Sequence, residues 1–252
     1  MALIAMAVYD TSQNGRTKYT QRTINSLKET VDFNVHRLVI VDNGSCEETK
    51  EFLKGIDFAQ VITLPENIGT AKGINKAWEL RQPNEHLIKM DNDVEIYYTN
   101  WVDELEEAIE RDTNIGIIGL KRKDLMENPF RNDMFKSELK MLPHQNGDRW
   151  IIVEKVDHVI GTCQMFNHRL IKKIGGLVQP GVYGFDDTLA AVRCKVAGFY
   201  SCFLPHIEID HIDVDENPYW QEKRTLASAD MDAFHKIKDE YLTGKKSIYH
   251  LL

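Results

Sequence analysis

His86-Leu87-Ile88-Lys89-Met90-Asp91-Asn92-Asp93-Val94 joins a short apolar run to two carboxylates placed two residues apart. The run reads as a strand, and a strand that stops on Asp-x-Asp presents two hard oxygen ligands at its carboxyl end. In open α/β sheets ligands collect beyond the carboxyl ends of the strands, and paired carboxylates there suit Mg²⁺ or Mn²⁺ meeting a substrate diphosphate. The triplet alone specifies little, since Asp213-Val214-Asp215 repeats it and most such triplets are solvated turns. Three strand-plus-helix units ahead of the first copy give it weight. An EF-hand reading fails, because the glycine that loop requires is Ile96 and its twelfth position is Val102.

Working outward, Ala2 to Tyr9 is continuously apolar, as a strand buried on both faces must be. Lys18 to Thr30 reads as a helix with Ile24 and Leu27 inward, and His36 to Val41 as a second strand ending in the turn residues Asp42-Asn43-Gly44-Ser45. Ser45 and Glu48 have capping-box spacing for a helix over Glu47 to Lys54. Gln60 to Leu64 is a third strand. Thr70 to Arg81 follows as a helix with Ala71, Ile74, Ala77 and Trp78 on one face. After the fourth strand, Trp101 to Arg111 is a helix leading into the strand Ile115 to Leu120. Repeated units of this kind predict an α/β fold with a mostly parallel sheet and helices on both faces.

Periodicity weakens between Lys121 and Asp148, which reads as a long loop. Its charges suggest a lid over the substrate, with Arg122, Lys123, Arg131 and Lys136 shielded on closure. Order resumes with Trp150 to Val156 and Val159 to Phe166. Helices follow at Arg169 to Ile174 and Asp187 to Ala197, and a final helix opens at Asn217-Pro218 and runs to Tyr241. The expected organisation is a single domain over 1–252, with a nucleotide-binding half at 1–120, an acceptor half at 149–215 and a C-terminal helical extension at 217–252.

The 252 residues carry a net charge of −8, which argues against broad adhesion to nucleic acid or anionic membrane. Cys46, Cys163, Cys194 and Cys202 lack Cys-x-x-Cys spacing and read as reduced thiols of a cytoplasmic protein. The apolar N-terminus lacks a basic leader, and no apolar run reaches the ~20 residues of a spanning helix, so no integral membrane segment is expected.

Five ordered segments carry a resemblance: Val8-Tyr9-Asp10, Val41-Asp42-Asn43-Gly44-Ser45, Asn67 through Asn75, Asp91-Asn92-Asp93, and Gly184-Phe185-Asp186-Asp187-Thr188-Leu189 with Arg193. In that order they resemble the GT-A glycosyltransferases of the inverting, family-two-like type, over about Leu3 to His211. The resemblance implies transfer of a sugar from a nucleotide-diphosphate donor to an acceptor hydroxyl, with a divalent Mn²⁺ or Mg²⁺ as cofactor. Carried over by position, Ala7 and Tyr9 would line the base and ribose pocket, and Asp42 would accept a hydrogen bond from the base; Asp42 equally fits a turn residue. Asn67, Gly69, Lys72 and Asn75 would approach the nucleotide and diphosphate, with Asn92 grouped among the donor contacts; Lys72 equally fits an exposed helix lysine. Asp91 would act at the ribose or through metal-bound water, and Asp93 directly on the metal. Of His206 and His211 after the last strand, His211 is preferred as a third metal ligand, a structural histidine being the competing reading.

Asp187 matches the family's base, which takes the acceptor proton. Asp186 stands where that family usually has Glu, and the pair would also suit a helix N-cap. Gly161 to Gln164 would form a wall beneath the sugar, with Cys163 packed. The stretch from Pro218 to Lys246 resembles endings of bacteriophage-type glycosyltransferases, some of which glycosylate hydroxylated DNA bases, so the acceptors include a glycan or DNA. Two other enzyme classes fit less well. A nucleotidyltransferase would carry a Gly-rich basic loop after strand one, where Val8 to Gln13 is none, and a dinucleotide oxidoreductase would show Gly-x-Gly-x-x-Gly. A noncatalytic nucleotide-sugar-binding protein would leave the carboxylates dispensable.

Overall fold

The computed structural model describes residues 1–126, 138–144, 146, 147, 149–213 and 218–252. Strands β1 (Ala2–Val8), β2 (Arg37–Asp42), β3 (Gln60–Thr63) and β4 (His86–Met90) lie parallel in the order β3-β2-β1-β4. Between them run α1 (Thr17–Thr30), α2 (Glu47–Lys54) and α3 (Thr70–Trp78). Side chains alternate across a strand, so β1 feeds both sides of the sheet. Ile4 and Met6 join Ile24, Leu27, Ile40 and Trp101 in one core layer, while Leu3 and Ala5 join Val39, Ile74 and Trp78 in the other. A strand covered on both faces favours apolar side chains on both, and β1 is apolar throughout.

The sheet continues past β4 without a break. β9 (Cys163–Phe166) runs antiparallel between β4 and β6 (Ile115–Arg122). β10 (Tyr200–His211) lies parallel to β6, and β8 (Trp150–Val156) and β7 (Glu138–Pro143) add antiparallel strands at the edge. Helices α4 (Trp101–Arg111), α5 (Lys123–Met126), α6 (His168–Ile174), α7 (Asp186–Val196), α8 (Pro218–Ala229) and α9 (Met231–Leu242) complete the described elements. β10 shifts register between Leu204 and Glu208, and its far end pairs with β5 (Val94–Glu95), matching His211 to Val94. That bend carries the end of β10 to the carboxyl end of β4.

Four expectations are corrected. Lys121 to Asp148 is not one long loop: β6 extends to Arg122, α5 starts at Lys123, and β7 occupies Glu138–Pro143. Its apolar residues alternate with charged ones on an exposed edge, a pattern that lacks helical period. The lid contacts expected at Arg131 and Lys136 lie outside the described residues, as does the cap expected at Asn217. Ser45 does not cap α2, because its hydroxyl accepts from Asp10 N–H and donates to the Val8 carbonyl; Cys46 takes the cap position. The C-terminal helix is broken in two at Asp230, leaving Met231 exposed while Phe234 and Tyr241 pack with Leu189 of α7. α3 ends at Trp78 rather than Arg81. Among the described residues no helix is long and apolar enough to cross a membrane.

Candidate active site

A cavity of about 440 Å³ opens over the carboxyl ends of β1, β2 and β4. Its lining includes Ala7 and Tyr9 from the end of β1, Asn43 and Asn67 from the following loops, Asp91, Asn92 and Asp93 after β4, and Gly161 and Thr162 before β9. The start of α7 adds Asp186 and Asp187, the end of β10 adds His211, and α8 adds Tyr219 and Lys223. Most expected residues are therefore brought together. Gly69, Lys72, Asn75 and Asp42 are not in the lining. Lys72 is exposed on α3, so it is not brought to the cavity. Asn75 donates to the Leu177 carbonyl and accepts from the Leu177 N–H, which ties α3 to the loop after α6. Asp42 is buried, with Oδ1 accepting from Ser45 N–H at 2.8 Å and Oδ2 lacking a partner among the described residues.

Gly69 shapes the donor side. Its φ of 95° is closed to most side chains, and it starts α3, whose Thr70 and Ala71 N–H groups donate to the Val182 carbonyl and to Gln179 Oε1, while Asn43 and Asn67 hold the loop ahead of it. Asn92 points inward, donating to Asp10 Oδ1 at 3.0 Å and to Thr20 at 2.7 Å, so its work is to fix the Asp-x-Asp turn.

The acidic end is organised around Asp93. His211 Nε2 lies 3.5 Å from Asp93 Oδ2, held there by pairing with Val94 and by Ile212 N–H donating to the Asp93 carbonyl. Burial opposes the charge on Asp93, yet His211, Arg16 and Lys223 hold its pKa well below the usual carboxylate value. Arg16, at the start of α1, donates to Asp93 at 2.7 Å and to Asn92 at 3.2 Å, and pairs with Asp213. Asp93 Oδ1 and His211 Nδ1 remain buried without a hydrogen-bond partner among the described residues. Unsatisfied buried oxygen and imidazole donors of this type suit a divalent cation.

Lys89 connects this end to the other carboxylates. It sits inside β4 at 3% exposure, and its ammonium lies 2.9 Å from the Gly161 carbonyl, 3.0 Å from Asp186 and 3.3 Å from Asp91. Gly161 is required by this packing, since a Cβ there would stand 2.5 Å from the Lys89 Nζ and 3.3 Å from Asp187. Burial would lower the lysine pKa, but Asp186, Asp91 and Asp187 keep it raised.

Asp186 and Asp187 occupy the first turn of α7 after Phe185, whose φ of 67° is strained for a non-glycine residue. Burial raises the Asp186 pKa, with Lys89 opposing. Asp187 behaves in the opposite way. Burial works against its charge, but His158 at 3.2 Å, Lys89 and the Thr188 N–H hold it far below the usual carboxylate range. The Gly161 N–H also donates to it at 3.0 Å. Cys163 is fully buried and packed, and burial pushes its thiol pKa up. All four cysteines are unpaired.

Sequence reasoning missed Arg16, Lys89, His158, Asp213, Tyr183, Tyr219 and Lys223. Lys89 carried the one usable signal, a charged residue inside a strand otherwise reading as core. Among the described residues, the groups of three His and carboxylate side chains whose ligand atoms lie close enough together to share an ion are His86-Glu110-His168 and His36-Asp103-Glu106. His86 and His36 lie at the amino-terminal ends of β4 and β2, away from the cavity.

Comparison with known proteins bears on the fold and the family. No curated protein matches the sequence. The mannosyltransferase PcManGT from Pyrobaculum calidifontis, in complex with GDP-Man and Mn²⁺, superposes with a TM-score of 0.62 at 15% identity, over 88% of this chain and 60% of that one. GalNAc-T7 with UDP, GalNAc and Mn²⁺ gives 0.61 at 13% identity, over 84% and 43%. TarS 1–349 of S. aureus gives 0.59 at 15% identity, over 96% and 71%. The chain thus spans well under two thirds of GalNAc-T7 and 60% of PcManGT, and at these identities the likeness concerns the fold, GT-A. The family model described as Glycosyl transferase family 2 matches residues 4–175, well over half of the chain, and with the strand-end Asp-x-Asp inside that span the protein belongs to this family.

Proposed function

We propose that the protein transfers a sugar from a nucleotide-diphosphate donor to an acceptor hydroxyl, with inversion and with the assistance of Mn²⁺ or Mg²⁺. One observation carries the reading: a single cavity is lined both by Asp91, Asp93 and His211 and by Asp186 and Asp187. The GDP-Man, UDP and Mn²⁺ bound by the structural neighbours support the donor class and the metal.

Asp93 and His211 would hold the metal, with Asp91 beside them, because they bring the unsatisfied oxygen and imidazole nitrogen described above. When bound, the ion would neutralise the charge that develops on the leaving diphosphate. Ala7, Tyr9, Asn43 and Asn67 are available to the nucleoside. The acceptor hydroxyl gives its proton to the carboxylate pair as its oxygen attacks the anomeric carbon. The bond from that carbon to the phosphate oxygen breaks, and the nucleoside diphosphate leaves. One displacement by one base inverts the centre. Asp187 is assigned as base from its position in the motif; the contacts that keep it anionic also lower its proton affinity. Asp186, tied to Lys89, has the higher proton affinity and is assigned to the acceptor hydroxyl's orientation.

The acceptor is proposed only as a hydroxyl compound such as a glycan. DNA gains no support, since the chain carries a net charge of −8 and the neighbours are complexed with nucleotides and sugars. A cytoplasmic setting belongs to the proposal, supported by four unpaired cysteines. The test is a panel of nucleotide sugars incubated with Mn²⁺ or with chelator. The expected result is metal-dependent release of one nucleoside diphosphate, with the opposite anomer in the product by NMR. Retention of the anomer, or no release from any donor, would refute it.

A further inference from the structure

Lys223 enters the cavity from α8, beyond the segment that matches the family. Its side chain is 16% exposed and lies between two aromatic rings, 4.6 Å from that of Tyr219 and 5.5 Å from that of Tyr183. The ammonium stands 3.8 Å from Asp213 and 4.0 Å from Asp93, distances too long for hydrogen bonds. Both carboxylates are already engaged by Arg16, which is 3% exposed and bonded to Asp93, Asp213 and Asn92 at once. Arg16 is thus committed to the protein itself. Lys223 is a second cation placed over an ion pair that is closed without it.

Charge shows what this second cation can do. Lys89 is paired with Asp91 and Asp186, and Arg16 with Asp93 and Asp213, so Lys223 adds one further positive charge at this end of the cavity. A bound divalent ion would make this end two charges more positive, and loss of Lys223 would make it one charge less so. The lysine therefore strengthens the attraction of the metal-loaded site for an anion. A compact ammonium on a flexible stem, steadied by aromatic faces, suits a phosphate oxygen.

Resting on the transfer reading above, we infer that Lys223 is a binding contact for the diphosphate of the donor, supplied by α8. It is measured by calorimetry with UDP and GDP in the presence of Mn²⁺, using uridine and guanosine as controls, on the full chain. For the nucleoside diphosphate that binds, Lys223→Met should weaken affinity about tenfold or more, as loss of one charge-assisted contact does. The matching nucleoside should change less than about twofold, and Lys223→Arg should recover part of the loss. Unchanged diphosphate affinity in Lys223→Met would overturn the inference. So would equal weakening of diphosphate and nucleoside, which marks a general displacement of α8. Tighter diphosphate binding would also overturn it, showing a lysine that competes with the metal at Asp93. If the unaltered protein bound no nucleoside diphosphate in a panel extended to the other bases, the transfer reading itself would fall. Binding by the unaltered protein with any of the other three outcomes would leave that reading standing and remove only the lysine's role.

Discussion

Lys89 is the residue on which both acidic parts of the cavity depend. One ammonium spans Asp91 and Asp186 while its stem fills a strand interior. Lys89→Met keeps the volume and removes the charge, leaving two carboxylates uncompensated. Breaking a buried pair from one side costs about 3–5 kcal/mol, so the variant should melt well below the parent and turn over poorly; a parent-like melting curve and rate would show the contact to be idle. The Asp pair is separable in the same way. Asp187→Asn should keep donor binding and lose transfer by on the order of 10²–10⁴. If Asp186→Asn shows that loss instead, the two roles are exchanged. These carboxylates were legible in sequence because each lies in a short motif at the end of a regular element. Arg16 was not, since it meets Asp93 from 77 positions away and Asp213 from 197. No local pattern marks such a pairing, and on its own helix Arg16 reads as an ordinary solvated residue. Lys72 shows the converse: a lysine on a helix in a motif can still face water.

At the scale of elements, regular strands with strong periodicity matched their sequence signal, as β4 at His86–Met90 and α4 at Trp101–Arg111 do. The failures have local causes. β7 alternates on an open edge, where Leu139 and Met141 stay exposed, so burial gives no cue to its presence. Asp230 interrupts a helix whose apolar spacing continues across the break. That break lets Phe234 stack on Phe185 at a ring separation of 4.4 Å and an angle of 13°. Phe185 directly precedes the acidic pair in a strained conformation, so the stack holds the first turn of α7 in place. Phe234→Ala should destabilise the protein by about 3 kcal/mol and lower the transfer rate while leaving nucleoside diphosphate affinity within about twofold. Calorimetric melting together with separate rate and binding measurements checks this. A variant whose rate is unaffected would free the acidic pair from any dependence on α9.

For the molecule as a whole, one sheet runs from β3 to β7, and its two faces carry continuous cores. Its stability should depend on pH through His86, at the end of β4 opposite the cavity. Burial, then the neighbouring His168, pushes the His86 pKa down to about 4. The unfolded chain, with a value near 6.5, then binds more protons between those two values. Stability from the neutral imidazole is therefore complete above about pH 6.5 and is lost as pH falls toward 4, amounting to on the order of 1–3 kcal/mol. His86→Gln should melt with a shallower pH dependence across that window, and an unchanged slope would assign the dependence to other groups. The function proposed for the whole fold rests on a metal-assisted transfer centred on Asp93. Its most direct test compares Mn²⁺-dependent release of nucleoside diphosphate from the preferred nucleotide sugar by the unaltered protein and by Asp93→Asn, a change that keeps an oxygen for Arg16. The predicted result is release that chelator silences in the first and that falls by on the order of 10² or more in the second, with the fold intact; undiminished release by Asp93→Asn would contradict it.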